Sequence, residues 1–570
     1  GGFLDNRLIA RYLLEMARGM EYLDESPFRV QAYRKAAQSI LETPVPVSEM
    51  VEQGRLSGIP GVGKGIASTI EAWVRDRDFS AVEELNARLP RGLDELLKIP
   101  GLGFKRIRAL HTQLSVETLD DLQEAIRQGK LSGMRAFPRK FVDSLPRSLE
   151  RVMSYRGKLL ISAGLSRAEA MILQLASRGV KARATGQCRR FAEVIERIDI
   201  LVECSGEDRE KILDSLGEPH AVIRNDTVAV PPSPGGPVTE LHLVPRERLS
   251  LRLLLTTGSD AHILALRKLA SEMGAKIGED EITLRGRPVS VSTEEDIYRL
   301  LGLQYLPPEV REGRDSELAR ARTNAVPALL EIGDIRGTIH NHTDRSDGVS
   351  SLPAMVRGAM ERGYRWIGIS DHSKSAYYAG GLDEEAVALQ HREISALGGE
   401  LPEITIFRGI ESDILADGSL DYPPEILRRF DFVIASIHSH MEMSRQAMTK
   451  RIIKALRNPF TTILAHPTGR LLLAREPYEV DMDAVLEEAL KNRVAVELNA
   501  NPMRLDLDWR LMDSFVTQGG IIAIGPDAHS VDGLDDMTYG VMIARKGFVT
   551  PQACLNTRDA RDVKEWFCKT

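Results

Sequence analysis

Seven short apolar runs in the C-terminal part of the chain end in side chains able to hold metal ions: "RGTIHNH", "YRWIGISDHS", "ITIFRGIES", "FVIASIHSH", "TTILAHP", "RVAVELNAN" and "GIIAIGPDAHS". Together they present His340, His342, Asp347, His372, Glu411, His438, His440, His466, Asp527 and His529. With twelve histidines in 570 residues a lone His-x-His carries little weight, so position is what matters. Imidazole and carboxylate donors without thiolates suit Zn, Mn or Fe and argue against a structural cysteine site. The three carboxylates leave two or three divalent ions short of neutrality, and positive charge remains for a phosphate. One ion lowers the pKa of a water while a second steadies the phosphate oxygens and the leaving group, so phosphoester hydrolysis is the natural chemistry.

Two further constellations lie upstream. "FAEVIERIDILVE", residues 191 to 203, reads as a strand that places Arg197 and Asp199 on one side. Two acids at that spacing would hold divalent ions for phosphoryl transfer, but one of the pair is a permanent cation. The alternatives are a broken metal site and a plain strand. "SGIPGVGKGIASTI" and "LKIPGLGFKRIRAL" share the pattern I-P-G-h-G, with Val62 and Leu102 as the apolar residue. Gly61, Gly63, Gly65, Gly101 and Gly103 let the backbone turn so that amides at the next helix start face a phosphate, and Lys64 and Lys105 add charge. These turns resemble helix-hairpin-helix motifs, which grip nucleic-acid backbone without reading sequence. "LSGMRAFPRKFVDSL" is a degenerate third copy, with Arg135 and Pro138 where glycines and free amides are wanted.

The scaffold for these groups follows from length and periodicity. The chain is long enough for about four domains, and its 43% hydrophobic and 28% charged composition is that of a globular protein. No apolar run reaches a membrane span and no leader is evident, which gives the expectation of a cytoplasmic, nucleoid-associated protein without membrane partners. Four cysteines without C-x-x-C spacing fit a reducing compartment. Net charge is -7, yet residues 101 to 200 hold 19 Lys or Arg against 10 Asp or Glu, a basic middle suited to a phosphate backbone. The seven apolar runs alternate with helical segments such as "LPAMVRGAMERGY" and "MDAVLEEALKNR", the pattern of parallel strands with helical crossovers. Closed into a barrel, the strand ends meet at one rim.

The C-terminal residues, about 333 to 570, resemble the PHP (polymerase and histidinol phosphatase) domain, a distorted (β/α)7 barrel with a trinuclear metal cluster. The resemblance implies His340, His342, Glu411 and Asp527 around one metal and Asp347, His372 and His529 around a second. Glu411 bridges to a third held by His438 and His466. His440 and His391 stand outside the pattern, and Lys374, after "SDHS", is set to meet substrate phosphate. The front part resembles bacterial family X DNA polymerases, which place an 8-kDa-like domain, fingers, palm and thumb before a PHP domain. This implies a multidomain α/β chain divided as follows: helix-hairpin-helix domain 1–80, fingers-like helical domain 81–148, α+β nucleotidyltransferase-like palm 149–250, thumb 251–320, linker 321–332 and barrel 333–570.

"FRVQAYRKAAQSI" resembles the helix that faces a 5'-phosphate, with Arg29, Tyr33 and Lys35 available, but Thr69 replaces the Schiff-base lysine of lyase-active relatives and cannot form that imine. In the palm, Gly186, Arg189 and Arg190 are kept, Gln187 replaces a nucleotide-contacting serine, and Arg197 replaces the first metal-binding aspartate. Asp199 is intact, with Glu240 as third carboxylate. The thumb segment "TTGSDAHILALRKLA" keeps Gly258, Ser259 and Arg267 for nucleotide contact, while Leu255, Thr256 and Ile263 depart from the family. The implied function is a monomeric DNA-repair enzyme acting on primed, gapped or single-stranded DNA. Its 3'-5' exonuclease would use His342, Glu411 and Asp527 with two to three Mn, Zn or Fe ions, and its polymerase centre at Asp199 and Glu240 would work weakly with dNTPs and Mn or Mg. A polymerase-dead DNA platform and a histidinol-phosphatase-like small-molecule phosphatase are the alternatives.

Overall fold

The computed structural model describes residues 6–568 apart from 42, 44, 206–207, 217–220, 225 and 232–235. The chain divides after Arg156 into two compact units. The first is helical and holds two apolar cores, one around Ile9, Leu13, Ile40, Ile70 and Trp73, the other around Leu96, Ile107, Leu110, Leu119 and Leu149. Local signals set its helix starts. Thr118 and Asp121 form a capping box on Leu119–Arg127, satisfying amides that have no intrahelical partner.

The second unit begins with a five-stranded sheet made of β1 (Ala182–Thr185), β2 (Ile198–Glu203), β3 (Ala221–Arg224), β4 (Thr227–Val230) and β5 (Thr239–Val244) in the order β1-β2-β5-β4-β3. Strands β2 and β5 run parallel, with Asp199 opposite Glu240. The single strand expected over residues 191 to 203 is in fact two: Val194–Ile195 pairs with Leu159–Leu160, and β2 starts only at Ile198. The break at Glu196 and Arg197 has a local cause, because the Gln187 side-chain oxygen accepts both of their backbone N–H groups at 2.7 and 3.1 Å. Helices Leu249–Thr257 and Asp260–Glu272 follow, then a small antiparallel sheet over residues 275–289 and the helix Glu294–Leu300.

All seven apolar runs of the C-terminal part are parallel strands: β6 (Gly337–Asn341), β7 (Trp366–Ile369), β8 (Thr405–Asp413), β9 (Phe432–Ser436), β10 (Ile463–Leu464), β11 (Ala495–Asn499) and β12 (Ile522–Gly525). They pair in chain order, and Asn341 bridges to Ala528 just past β12, so the sheet is nearly closed into a barrel. Helical crossovers such as Leu352–Glu361 and Met482–Lys491 cover it. The Phe432 ring fills the space that a side chain at Gly409 would take, and Phe567 of the last helix stacks on Phe432 with centroids 5.2 Å apart. The barrel is therefore a packed core and not a pore.

Buried ion pairs tie the sheet, the helical segment behind it and the barrel together. Glu294 accepts from Arg189 at 2.7 Å and from the fully buried Arg311. Lys546, also buried, reaches Glu312, which accepts from Arg190 at 3.0 Å. The helix Asp315–Arg322 runs into the start of the stretch read as a linker, 321–332, with Arg314 lying over the Trp509 ring and Arg320 paired with Asp513 at 2.7 Å.

Candidate metal centre and nucleic-acid interface

Strand ends of the barrel bring the nine expected ligands to one rim. Glu411, buried at the end of β8, is the hub. Its Oε2 lies 3.5 Å from both His340 Nε2 and His342 Nε2 and 3.0 Å from His372 Nδ1. Its Oε1 lies 3.1 Å from His438 Nε2 and 3.0 Å from His466 Nε2. Asp527 Oδ1 faces His340 and His342 at 3.3 and 3.2 Å. Asp347 meets His529 at 3.2 Å, His372 at 3.4 Å and His342 at 3.7 Å. The donors fall into overlapping sets whose ligand atoms lie within 4.8 Å of one another, among them His342, Asp347, His372 and His529, and His372, Glu411 and His438. Backbone φ is +62° at His340, +26° at His466 and +53° at Asp527, a conformation such residues rarely adopt and one that clusters at functional sites.

A layer behind the ligands, not singled out from sequence, fixes their orientation. Glu497 accepts from His340 Nδ1–H and, at 2.7 Å, from the His466 backbone N–H. Asp413 accepts from His438 Nδ1–H at 2.6 Å, and Asn499 donates to Asp527 at 3.1 Å. Asp371 accepts from Thr343 and Ser346, which fixes the loop carrying Asp347. Such partners set the tautomer and ring angle of a ligating histidine. The signal for Glu497 was a carboxylate within the buried run "RVAVELNAN".

The residues fit divalent ions. His340 Nε2, His342 Nε2 and Glu411 Oε2 are buried without a hydrogen-bond partner, though they converge, which is the situation an ion resolves. Imidazoles and carboxylates here favour one another's charged forms. Burial opposes charge on His372 and His438, yet the facing carboxylates push their pKa up to about 11 and about 9. Burial likewise opposes ionisation of Glu411, but His438, His372 and His340 hold its carboxyl well below the usual range. His440 is exposed, His391 packs edge-on against Phe430 away from the cluster, and Lys374 pairs with Glu384 at 2.8 Å.

Between the five-stranded sheet and the helices that follow it, a cleft of about 930 Å³ is lined by Gly186, Arg190, Arg197, Asp199, Glu240, Gly258, Ser259 and Arg267. Arg197 Nε lies 3.0 Å from Asp199 Oδ1 and 3.8 Å from Glu240 Oε2, and His242 Nε2 takes a third position at 3.0 Å from the same Asp199 oxygen. A guanidinium thus stands among the groups that would hold ions. Arg189 is turned away into the Glu294 pair, and Ser259 caps the helix Asp260–Glu272. Arg267 pairs with Glu279 at 2.6 Å.

In the helical unit, Gly61 and Gly101 have φ of +83° and +78°, and Gly63 and Gly103 are the N-caps of helices Lys64–Glu71 and Phe104–Leu114. Val62 and Leu102 anchor the turns in the core, while Lys64, Gly65 and Lys105 are exposed. A Cβ at Gly63, Gly65 or Gly103 would meet nothing within 4 Å, so the amide surface is open. The degenerate third segment packs on the second turn, with Arg106 donating to Ala136 O at 2.9 Å, and Arg135 and Pro138 share a cleft with Gly103 and Lys105. Arg29 and Lys35 are exposed on their helix, whereas Tyr33 is buried in the core.

Known proteins align with both halves. The helix-hairpin-helix domain family matches residues 4–79, the DNA polymerase beta thumb residues 252–312 and the PHP domain residues 338–501. A Bacillus subtilis (strain 168) protein named DNA polymerase/3'-5' exonuclease PolX is 35% identical over 565 residues, 98% of either chain. A probable phosphatase of Thermoanaerobacter sp. (strain X514) is 26% identical over 238 residues, 40% of this chain and 92% of its own. A probable phosphatase of Caldicellulosiruptor saccharolyticus is 29% identical over 199 residues, 33% of this chain and 78% of its own. A match over 98% of the chain, with the helix-hairpin-helix, thumb and PHP families each recognised in place, shows that the chain belongs to the bacterial family X DNA polymerases that carry a C-terminal PHP domain.

Proposed function

We propose that the chain is a DNA-repair enzyme whose principal activity is metal-dependent 3'-to-5' removal of nucleotides at the barrel rim, accompanied by slow, Mn-favoured nucleotide addition in the palm. The observation that carries this reading is the Glu411 carboxylate facing five imidazoles, with Asp347 and Asp527 closing the cluster. Two to three Mn or Zn ions, or Fe, would be held by His340, His342, Asp347, His372, Glu411, His438, His466, Asp527 and His529. Bound ions supply a nucleophile at neutral pH and stabilise charge on the phosphate. Glu497 and Asp413 keep the imidazoles in register, and the excess of ring nitrogens over carboxylates leaves the rim attractive to a phosphodiester.

The hairpins within residues 1–148 and the basic middle serve as a sequence-independent grip on primed, gapped or single-stranded DNA, with palm 149–250, thumb 251–320 and barrel 333–570 following in the chain. We assign it to the cytoplasm, at the nucleoid, as a monomer; among the described residues no helix is long and apolar enough to cross a membrane. The names of the relatives support both halves, one a polymerase and exonuclease, the others probable phosphatases. A polymerase-dead platform that only delivers DNA to the barrel is the second reading, favoured by Arg197 lying against Asp199. A gel assay on primed and unprimed DNA, with Mn or Mg and with or without dNTPs, separates them. Shortening that His342→Ala abolishes, with slow lengthening in that variant, supports the proposal; no lengthening under any condition leaves the platform, and no shortening overturns both.

A further inference from the structure

Two tyrosines at the mouth of the barrel lie outside its apolar core and outside the metal cluster. The turn Tyr377–Ala379 follows ligand His372 by a few residues, and Tyr377 and Tyr378 are 86% and 67% exposed with their rings edge to face, centroids 6.3 Å apart. Large aromatic rings left this open cost apolar surface in water, so their position calls for a use. The turn is firmly held. Ser373 bridges to Leu382 at its base, the Ser373 N–H donates to the Glu411 carbonyl at 3.0 Å, and a side chain at Gly381 would collide with the Ser373 carbonyl. Its far end packs on the loop that delivers Asp347, because a Cβ at Gly380 would sit 3.2 Å from Ser346 O.

The ring pair is thus fastened between two metal-ligand segments. A phenol with an ordinary pKa of about 10 is uncharged at working pH. A neutral ring does not repel a phosphate. Arg504, 3.6 Å from Asp527, belongs to the same rim.

We propose that Tyr377 and Tyr378 form a stacking platform for the nucleobase at the 3' end of the strand, holding the terminal nucleotide while its phosphodiester lies over Glu411 and Asp347. The platform rests on the nuclease reading above. Every base has a π-face, so it accepts any terminal nucleotide, and it reads the presence of a base without reading its identity. The test is a double-mutant cycle on the full-length, Mn-loaded protein. One partner change is Tyr377→Ala with Tyr378→Ala; the other is an oligonucleotide whose 3' nucleotide is a tetrahydrofuran abasic analogue. Stacking on this scale predicts that the parent removes a normal 3' nucleotide about tenfold or more faster than the abasic one. The double alanine variant should lose that preference, while Tyr377→Phe with Tyr378→Phe should keep it, with metal content equal in all three. A parent that digests DNA with the same abasic discrimination as the alanine variant would overturn the platform alone. A parent that digests neither oligonucleotide would overturn the nuclease reading and the platform with it.

Discussion

Arg197 and Asp199 are locked to one another: the guanidinium Nε lies within 3.1 Å of both carboxylate oxygens of a strand residue that is itself buried. Burial opposes the charge on Arg197, but Asp199 and Glu240 more than restore it, and its pKa is raised. It stays a cation at any working pH. Two-metal transfer needs carboxylates bridging ions about 4 Å apart, and a fixed guanidinium repels both.

Arg197→Asp with Glu240→Asp should therefore recreate a three-acid centre and raise primer extension by about tenfold or more. Extension is to be measured in a His342→Ala background, where primer shortening cannot mask addition. The gain should fall on the turnover rate and not on nucleotide affinity, because the lost ion would activate the primer hydroxyl. Fast Mg-supported extension by His342→Ala alone, unaffected by Asp199→Ala, would place the polymerase centre elsewhere.

The barrel site depends on groups that touch no ion. Glu497→Gln and Asp413→Asn each leave a ligand imidazole, His340 and His438, without its carboxylate acceptor. Each should weaken metal binding by about 10- to 100-fold, read by chelator competition, with a smaller loss of fold than loss of metal. Unchanged affinity in both variants would remove these carboxylates from the site.

These cases also show where the sequence was legible. Seven apolar runs with polar ends announced the barrel and the imidazoles and carboxylates gathered at its rim, since a strand buried on both faces is a continuous apolar run and its end is where polar groups become affordable. Glu497 escaped because a single carboxylate far in sequence from any expected ligand looks like any solvated acid until the strand is seen to bury it beside His340. The break before β2 escaped for a different reason. It depends on Gln187, nine residues away, accepting the Glu196 N–H, and periodicity carries no information about side chains that bond to a distant backbone.

The hairpin turns allow a clean substitution. Gly63 and Gly103 have φ of −80° and −81° with extended ψ, and a Cβ there meets open space, so valine is accommodated without strain in the free protein. Gly63→Val with Gly103→Val should nonetheless keep phosphate from the amides and raise Kd by about tenfold or more, alike for every DNA sequence. Fluorescence anisotropy across a salt series checks it. A loss confined to particular sequences would contradict backbone recognition.

Glu294 sets the last expectation, which concerns stability and its pH dependence. It is buried between Arg189 and Arg311, and although burial alone would raise its pKa, the two guanidinium groups hold the carboxyl below its ordinary 4.5. A group with a depressed folded-state pKa contributes stability that is present above the unfolded value and lost as pH falls through the folded one. Glu294→Gln leaves the buried Arg311 and the partly buried Arg189 without their counter-charge and should cost about 3–5 kcal/mol near neutral pH. The difference between parent and variant, followed by urea unfolding, should shrink as pH drops below about 4.5, since protonation makes the parent resemble the variant. Arg311 has a fallback in its bond to the Leu306 carbonyl at 2.9 Å, and Arg189 in its 2.8 Å bond to Thr257, so the variant should fold. A difference that stays constant down to pH 3 would show that Glu294 contributes by shape and not by charge.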